Sequence, residues 1–333
     1  MILVTGGTGL VGSHLLYKLI ASGEKVRAIR RKSSDLSKVK QVFGFFTKDI
    51  TPLFDKIEWV EADITNIPQL ETAFQGIKEV YHAAALISFN GRDRNAMRKV
   101  NIEGTANIVN LCVIHKVQKL CFVSSIATLG APQENGLITE ESYWNPETDN
   151  NDYAISKYGA EMEVWRGTRE GVPAVIVNPG VILGAGFPDQ GSGKLFQMAK
   201  KGLSFYTEGK TGFVDVEDVV TVMKQLMDSE IQNELYILIA ENVAFKEIVT
   251  ELSIAMDQNP PRKKAGKYLL GFVWRLDLIA NVLFGKEPAI TRASAKAAIE
   301  RSSYDNSKIK NALSYEFTPL TKTIENVIRR FNY

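Results

Sequence analysis

A glycine-rich turn between the first predicted strand and the first predicted helix constrains the fold of this chain more than any other feature. An apolar stretch, Ile2–Val4, leads into Thr5, and the apolar periodicity of a helix over Leu10–Ala21 follows. Glycine permits a tight turn and lets the backbone approach a pyrophosphate, while the helix N-terminus offers unpaired N–H groups to phosphate. Simple turn glycines are the alternative, but the strand–turn–helix context favours a dinucleotide cradle. Its predicted residues are Gly6, Thr8, Gly9, Leu10, Val11 and Gly12.

Short β-rich segments alternate with helical patterns over the first two-thirds of the chain. The predicted strands are Ile2–Val4, Lys25–Ile29, Ile57–Glu61, Glu79–His82, Leu120–Ser124, Ala174–Asn178 and Leu235–Ile239. The predicted helices between them are Leu10–Ala21, Ile67–Phe74, Asn95–His115 and Tyr153–Glu170. This alternation predicts an α/β fold of the Rossmann type, a doubly wound parallel sheet of about seven strands with helices on both faces.

Departures from the alternation indicate where function lies. The connections Arg30–Lys56 and Gly130–Asp152 are long, and loops of such length are usually functional or disordered. After Pro179 the pattern changes to Gly-rich loops and helices, with one return to the sheet near Phe213–Ile239. We therefore predict a cofactor domain of residues 1–178 plus 211–239, and a smaller, mainly helical substrate domain of residues 179–210 plus 240–333.

The composition excludes several classes of partner. The 40 Lys and Arg residues nearly balance the 38 Asp and Glu residues, so we expect neither nucleic acid nor a membrane as a partner. The apolar stretch Leu269–Phe284 is interrupted by Arg275, Asp277 and Asn281, which favours an amphipathic helix packed on the protein body. The two cysteines lie in apolar runs, and an apolar strand begins at residue 2, so we expect a cytoplasmic protein without a signal peptide.

The end of the second predicted strand bears on the choice of dinucleotide. NAD-binding proteins usually carry an acid there, whereas this chain has Arg30 and Arg31, whose guanidinium groups suit a 2′-phosphate. We predict NADP as the cofactor, with NAD possible; a solvated basic loop is the alternative. Past the third and fourth strands, further residues are expected near the cofactor unless they only serve packing. These are Asp63, Ile64, Ala83, Ala84 and Ala85.

A tyrosine and a lysine one helical turn apart supply the chemistry. Tyr153 and Lys157 share a helix face, and a nearby ammonium favours the phenolate form of a tyrosine. Ser125, with Ser124 as the substitute, follows a strand at the carboxyl edge of the sheet and can donate to a substrate oxygen. Asn101 lies in a helix that should back the same crevice, where its amide could hold a water or a backbone group, or only pack.

Taken in order, these motifs resemble the extended short-chain dehydrogenase/reductase superfamily over essentially the whole chain. The resemblance includes Gly212-Phe-Val-Asp-Val-Glu-Asp-Val219 and implies that Tyr153 is the acid–base, that Lys157 binds the nicotinamide ribose and lowers the Tyr153 pKa, and that Ser125 orients the substrate oxygen. The segment Asn178–Gly184 resembles the dihydroflavonol reductase and cinnamoyl-CoA reductase branch. The cofactor contacts expected in this segment are Asn178, Pro179 and Val181.

Three functions follow from the resemblance. The first is an NADP-dependent oxidoreductase that transfers a hydride to or from a carbonyl or secondary alcohol of a small molecule. The second is a nucleotide-sugar epimerase or dehydratase that retains its cofactor, which Asn178, Val181 and Ile126-Ala127 disfavour because sugar-nucleotide enzymes usually carry other residues there. The third is a non-catalytic cofactor sensor. The resemblance to this superfamily also implies a homodimer.

The remaining predictions concern metal and the substrate pocket. The three histidines, His14, His82 and His115, lack ligand spacing, so no metal is expected and His82 is interpreted as structural. The pocket is predicted between Phe89–Asn95, the loop 130–152, Phe187–Phe196 and the C-terminal helices. Its aromatic wall candidates are Phe187, Phe196, Phe205, Tyr206, Phe272 and Trp274.

Overall fold

The computed structural model describes residues 1–284 and 290–331. The strands are β1 (Ile2–Thr5), β2 (Val26–Arg30), β3 (Glu58–Glu61), β4 (Glu79–His82), β5 (Lys119–Val123), β6 (Ala174–Pro179), β7 (Val181–Leu183), β8 (Phe205–Tyr206), β9 (Lys210–Asp215), β10 (Glu234–Leu238), β11 (Glu241–Ala244) and β12 (Lys263–Lys264). The helices are α1 (Leu10–Ala21), α2 (Ser37–Gly44), α3 (Thr51–Phe54), α4 (Ile67–Ala73), α5 (Arg94–Met97), α6 (Gly104–Ile114), α7 (Asp152–Arg169), α8 (Gly193–Lys200), α9 (Val216–Asp228), α10 (Phe245–Ala255), α11 (Lys267–Phe284), α12 (Arg292–Ala297), α13 (Ser307–Leu313) and α14 (Leu320–Phe331). A π-helical turn, Arg98–Glu103, joins α5 to α6.

The central sheet has seven parallel strands in the order β10-β6-β5-β4-β1-β2-β3. Each of the seven predicted strands is present with ends within one residue of the prediction, so the predicted Rossmann fold is confirmed. The chain runs outward from β1 through β2 to β3, and then returns to build the other half from β4. The switch point, where ligands bind in open α/β sheets, therefore lies between β1 and β4.

Both faces of the sheet are covered, which explains why strands such as β1, β5 and β6 are apolar runs rather than alternating patterns. On one face Leu15 and Leu19 of α1 and Met223 of α9 pack against the strands. On the other face Ile108 of α6 and Val164 of α7 do the same. All six residues of β6, which lies between β10 and β5, are buried. Their backbone atoms are thereby held in fixed positions at the carboxyl edge, where the site forms.

A second group of elements packs beyond the carboxyl edge. Strands β7, β9 and β11 form a three-stranded sheet, against which α8, α10 and α14 pack through a separate core that includes Phe196, Phe213, Leu252 and Ile324. The return to the main sheet predicted near Phe213 is wrong for β9, which pairs with β7 and β11, whereas β10 does return and pairs with β6. The two-domain boundaries stay a prediction, and residues 285–289 and 332–333 of the second domain lie outside the described residues.

The two long connections differ from each other. Residues 30–56 contain the short helices α2 and α3, whereas residues 130–152 are irregular until α7 begins and are tied to the C-terminal region by a bridge between Ile138 and Tyr304. Within residues 1–284 and 290–331, no helix is both long and apolar enough to span a bilayer.

Candidate active site

The glycines after β1 form a tight turn against the end of β4. Gly6 has a φ of +71°, and a Cβ placed on it would come within 2.6 Å of the backbone of Ala83 and Ala84. A Cβ on Gly12 would overlap the carbonyl oxygen of Gly6. At Gly9, by contrast, the nearest neighbour of such a Cβ is 3.5 Å away. Gly6 and Gly12 are therefore needed for packing, whereas Gly9 borders open space.

That open space lies at the N-terminus of α1. Gly9 caps the helix without a side-chain hydrogen bond, and the first turn contains no acidic residue. The backbone N–H groups of such a turn have no partners within the helix and carry partial positive charge, which is the ordinary environment for a phosphate. The cradle predicted from the sequence therefore fits a dinucleotide pyrophosphate.

The adenosine end of the crevice carries the two predicted arginines. Arg30 ends β2, and its Nε is buried without a hydrogen-bond partner among the described residues. Arg31 is exposed and lies near Asp63. Burial raises the pKa of Asp63, but hydrogen bonds from Thr65 and the charge of Arg31 outweigh it, so the net pKa is lowered. An unpaired buried guanidinium nitrogen is costly, and an anionic ligand would satisfy it.

The other residues predicted to face the cofactor are placed differently from one another. The Ile64 side chain is buried against Gly104 and its carbonyl accepts from Asn107, so its side chain does not face the crevice. The backbone of Ala83 and Ala84 meets the glycine turn, and Ala85 is exposed beyond it.

His82 joins β1, β4 and α6 at the switch point. One ring nitrogen lies 2.6 Å from Thr5 Oγ1 and the other 2.9 Å from Thr105 Oγ1, while the same Thr5 oxygen accepts from the Ala84 N–H. Burial and the nearby charge of Lys157 lower the His82 pKa to about 3. A neutral, fully hydrogen-bonded histidine supports the structural role predicted for it.

Ser125, Tyr153 and Lys157 converge above β5. The Ser125 hydroxyl lies beside the half-buried Tyr153 phenol. Burial raises the Tyr153 pKa and the neighbouring Ser125 hydroxyl only partly opposes this, so the net direction is upward and the lowering expected from Lys157 is not found. Lys157 is buried and donates from Nζ to the carbonyl oxygen of Val123 at 2.8 Å. Burial lowers its pKa to about 7, against the opposing charge of Glu161.

A buried polar cluster supports this trio from below, and its centre is Glu161. Glu161 Oε2 accepts from Ser124 Oγ at 2.6 Å, from Thr128 Oγ1 at 2.9 Å and from Asn178 Nδ2 at 3.2 Å. Asn178 also donates to the carbonyl oxygen of Ser125 at 3.0 Å. The sequence analysis did not assign this cluster, although Tyr153, Lys157 and Glu161 at four-residue spacing fall on one helix face and could have indicated it.

Asn101 lies in the π-helical turn and holds the chain that follows β4. Its Oδ1 accepts from the Leu86 N–H at 2.7 Å, and its Nδ2 donates to the Leu86 carbonyl oxygen and to Ser156 Oγ, both at 2.9 Å. Ser156 in turn donates to the Tyr153 carbonyl oxygen. Of the roles considered for Asn101, the structure shows the backbone-holding one, and the residue positions the loop above Tyr153.

A cavity of about 490 Å³ opens in front of Tyr153. Its apolar lining includes Phe89, Met97, Trp274 and Leu278, and the ring centroids of Phe89 and Tyr153 are 6.0 Å apart. Asp149 of the long loop bonds to Lys296 of α12 at one end. The phenol is thus accessible to a mainly apolar small molecule.

Most of the predicted aromatic wall lies elsewhere. Trp274 lines the cavity, but Phe187 and Phe196 are buried in cores and Phe272 is exposed on the outer side of α11. Helical periodicity alone does not distinguish these environments. Asn178, Pro179 and Val181 lie at the end of β6 and the start of β7, and the Asn178 amide is engaged in the Glu161 cluster. Contacts of these three residues with a cofactor stay a prediction.

Comparison with known proteins adds independent information. The sequence profile of the NAD dependent epimerase/dehydratase family matches residues 2–238. A Synechocystis sp. protein provisionally named dihydroflavonol 4-reductase is 27% identical, with 98% of this chain and 93% of that protein covered. Sterol demethylase protein B of Methylococcus capsulatus is 28% identical over 78% of this chain and 76% of its own length. The crystal structure of gox2253 has a TM-score of 0.82 at 27% identity, covering 100% of this chain and 98% of that one.

Proposed function

Because this chain belongs to the NAD dependent epimerase/dehydratase family and is an NAD(P)-dependent enzyme, we propose that it is an NADP-dependent reductase of a carbonyl group on an apolar, ring-bearing small molecule. The observation that carries the proposal is the Tyr153 phenol, which faces a largely apolar cavity, lies beside the Ser125 hydroxyl and has buried Lys157 one helical turn further along α7. Bound NADPH would supply the hydride.

Tyr153, Ser125 and Lys157 each have a separate role in the proposed reduction. Tyr153 donates its phenolic proton to the oxygen of the substrate carbonyl, and the Ser125 hydroxyl donates a hydrogen bond to the same oxygen. The raised Tyr153 pKa keeps the phenol protonated at neutral pH, which suits a general acid in the reducing direction. Lys157 adds positive charge beside the phenolate that remains, and this charge stabilises it.

The lining of the cavity supports the substrate class. Nucleotide sugars carry two phosphates and several hydroxyl groups, whereas Phe89, Met97, Trp274 and Leu278 line much of this cavity. Its basic residues are Arg92, Arg292 and Lys296, and the last two already pair with Asp149. The names of the two curated relatives, a dihydroflavonol reductase and a sterol demethylase protein, also refer to ring compounds.

The choice of NADP rests on the end of β2. Arg30 and Arg31 follow the strand, no carboxylate stands there to bind a ribose hydroxyl, and the Arg30 Nε has no partner among residues 1–284 and 290–331. A 2′-phosphate would pair with these guanidinium groups. Equal Michaelis constants for NADH and NADPH would count against this preference.

A panel of ring-bearing ketones and aldehydes together with sugar nucleotides, followed by NADPH absorbance, tests the proposed reaction. We expect stoichiometric consumption of NADPH with at least one carbonyl compound. In the Tyr153→Phe variant turnover should fall by about 10²- to 10⁴-fold while NADPH binding is retained. Conversion of a sugar nucleotide without net NADPH consumption would instead identify an epimerase or dehydratase, and near-normal turnover of Tyr153→Phe would contradict the role of the phenol.

A further inference from the structure

Helix α11 has two faces with different environments in residues 267–278, where its side chains are described. On the inner face Leu270 is buried with Ala265 of the preceding segment and Ala295 of α12, and Trp274 lines the catalytic cavity. The expected packing of this helix on the protein body is therefore found for this face.

The outer face is apolar and exposed. The exposed fractions are 92% for Tyr268, 62% for Phe272, 49% for Leu276 and 39% for Leu269. At 100° per residue these four positions fall within roughly 100° of the helix circumference, so they form one continuous strip, here called the apolar stripe. Isolated exposed apolar residues are ordinary, but a contiguous exposed patch of large side chains marks an interaction surface.

Positive charge surrounds the apolar stripe. Arg262, Lys263 and Lys267 are exposed at its N-terminal end, where exposed Lys264 pairs with Glu208, and Arg275 is exposed along its edge. Asp277 is the one acidic residue in the sequence from 262 to 278, and its carboxylate accepts the Ile290 N–H on the inner side. This surface therefore presents net positive charge next to apolar side chains.

A further aromatic residue extends the same surface. Phe205 of β8 is 47% exposed, and the Nζ of Lys263 lies 5.9 Å from the centre of its ring. Aromatic and aliphatic side chains flanked by Lys and Arg are the composition of helices that lie in the plane of a membrane interface. Anionic headgroups supply the charge that complements such cations.

We propose that the apolar stripe and the basic segment 262–267 form a docking surface for an anionic lipid bilayer, on which α11 lies in the headgroup plane without spanning the membrane. The inner face of the same helix walls the catalytic cavity through Trp274. Docking therefore places the cavity beside the bilayer, where apolar molecules concentrate. The docking itself does not depend on the proposed reaction.

Vesicle co-sedimentation with the full chain tests the proposal. Vesicles of phosphatidylcholine alone are compared with vesicles that contain about one third phosphatidylserine, at low and high salt. We expect binding to the anionic vesicles that weakens with salt, and about tenfold weaker binding for Phe272→Glu/Leu276→Glu. The matched control, Ile114→Glu/Ile254→Glu, places the same charges at exposed apolar positions on α6 and α10 and should bind as the parent does.

A charge variant provides a second test. Lys263→Glu/Lys267→Glu should lose the preference for phosphatidylserine even if the apolar variant fails to fold, which thermal unfolding monitors. Absence of binding by the parent protein to either vesicle overturns the proposal, and so does equal binding by parent and both α11-region variants. A dimer of the parent in sedimentation equilibrium that Phe272→Glu/Leu276→Glu converts to a monomer, without vesicle binding, assigns the stripe to a second copy and also overturns it.

Discussion

At the scale of single residues, the chemistry depends on the charge state of Lys157. Its ammonium is buried, so its pKa falls to about 7, and the Glu161 carboxylate one turn further along opposes the fall. When the pKa of a lysine is close to 7, small changes in its surroundings alter its protonation state at neutral pH. Glu161 is therefore a positioning residue whose charge favours the protonated form of Lys157, in addition to anchoring Ser124 and Asn178.

Replacement of Glu161 by glutamine should move the pH profile. Because the negative charge raises the Lys157 pKa, its removal lowers that pKa further, and the alkaline limb of kcat/KM should shift about one unit toward lower pH. Glu163→Gln on the same helix removes a carboxylate that pairs with Arg166 instead and should leave the profile unchanged. A profile of Glu161→Gln that coincides with the parent's would contradict the role of this charge.

Arg30 is the residue on which the predicted preference for NADPH over NADH depends. A charge-assisted hydrogen bond to a phosphate contributes about 1.5–3 kcal/mol, so Arg30→Ala should raise the KM for NADPH by about tenfold or more and leave the KM for NADH nearly constant. Lys32→Ala, at an exposed position two residues on, is the control. Equal increases for both cofactors would indicate that Arg30 supports the fold rather than the 2′-phosphate.

At the scale of elements, alanine substitutions at two glycines of the same turn should have different effects on stability and on NADPH binding. A Cβ at Gly12 meets Gly6 and Gly7 backbone, so Gly12→Ala should lower the free energy of unfolding by about 1–3 kcal/mol. A Cβ at Gly9 meets only a contact at 3.5 Å, so Gly9→Ala should keep parental stability but weaken NADPH binding about tenfold, because the methyl group enters the cradle. Urea unfolding and fluorescence titration measure the two effects, and a destabilised Gly9→Ala would refute the division.

The strands and helices also show how much of the fold could be predicted from the sequence. The seven strands of the main sheet were predictable because each contains β-branched, aromatic or other apolar residues in a short segment that is followed by an apolar-periodic segment or a turn. Strand β9 was not assigned to the right sheet, because its pairing with β7 and β11 depends on contacts between distant segments. In the site, the four-residue spacing of Tyr153, Lys157 and Glu161 indicates a shared helix face, but the partners of Glu161 lie on distant segments that this spacing does not identify.

At the scale of the whole molecule, buried titratable groups set the response to acid. His14 is buried, donates from Nε2 to the Ala185 carbonyl oxygen across 3.0 Å, and has a pKa lowered to about 4 by burial. His82 is also buried, and its pKa is likewise lowered, to about 3. The unfolded chain binds these protons near pH 6.5 and the folded chain does not, so folding stability declines as pH falls below about 6.5. Asp215 acts oppositely, because its pKa is raised to about 6 and its native carboxyl binds a proton first.

The His14 contribution can be isolated by comparing the parent with His14→Gln, whose amide can still donate to the Ala185 carbonyl oxygen. At pH 5 the unfolded imidazole is largely protonated and the native one is not, so the parent should lose about 2 kcal/mol more than the variant between pH 7 and pH 5. The Asp215 effect is common to both proteins and cancels in the difference. Urea unfolding at the two pH values gives the comparison. Parallel losses in the two proteins would contradict a His14 that stays neutral in the folded chain at pH 5.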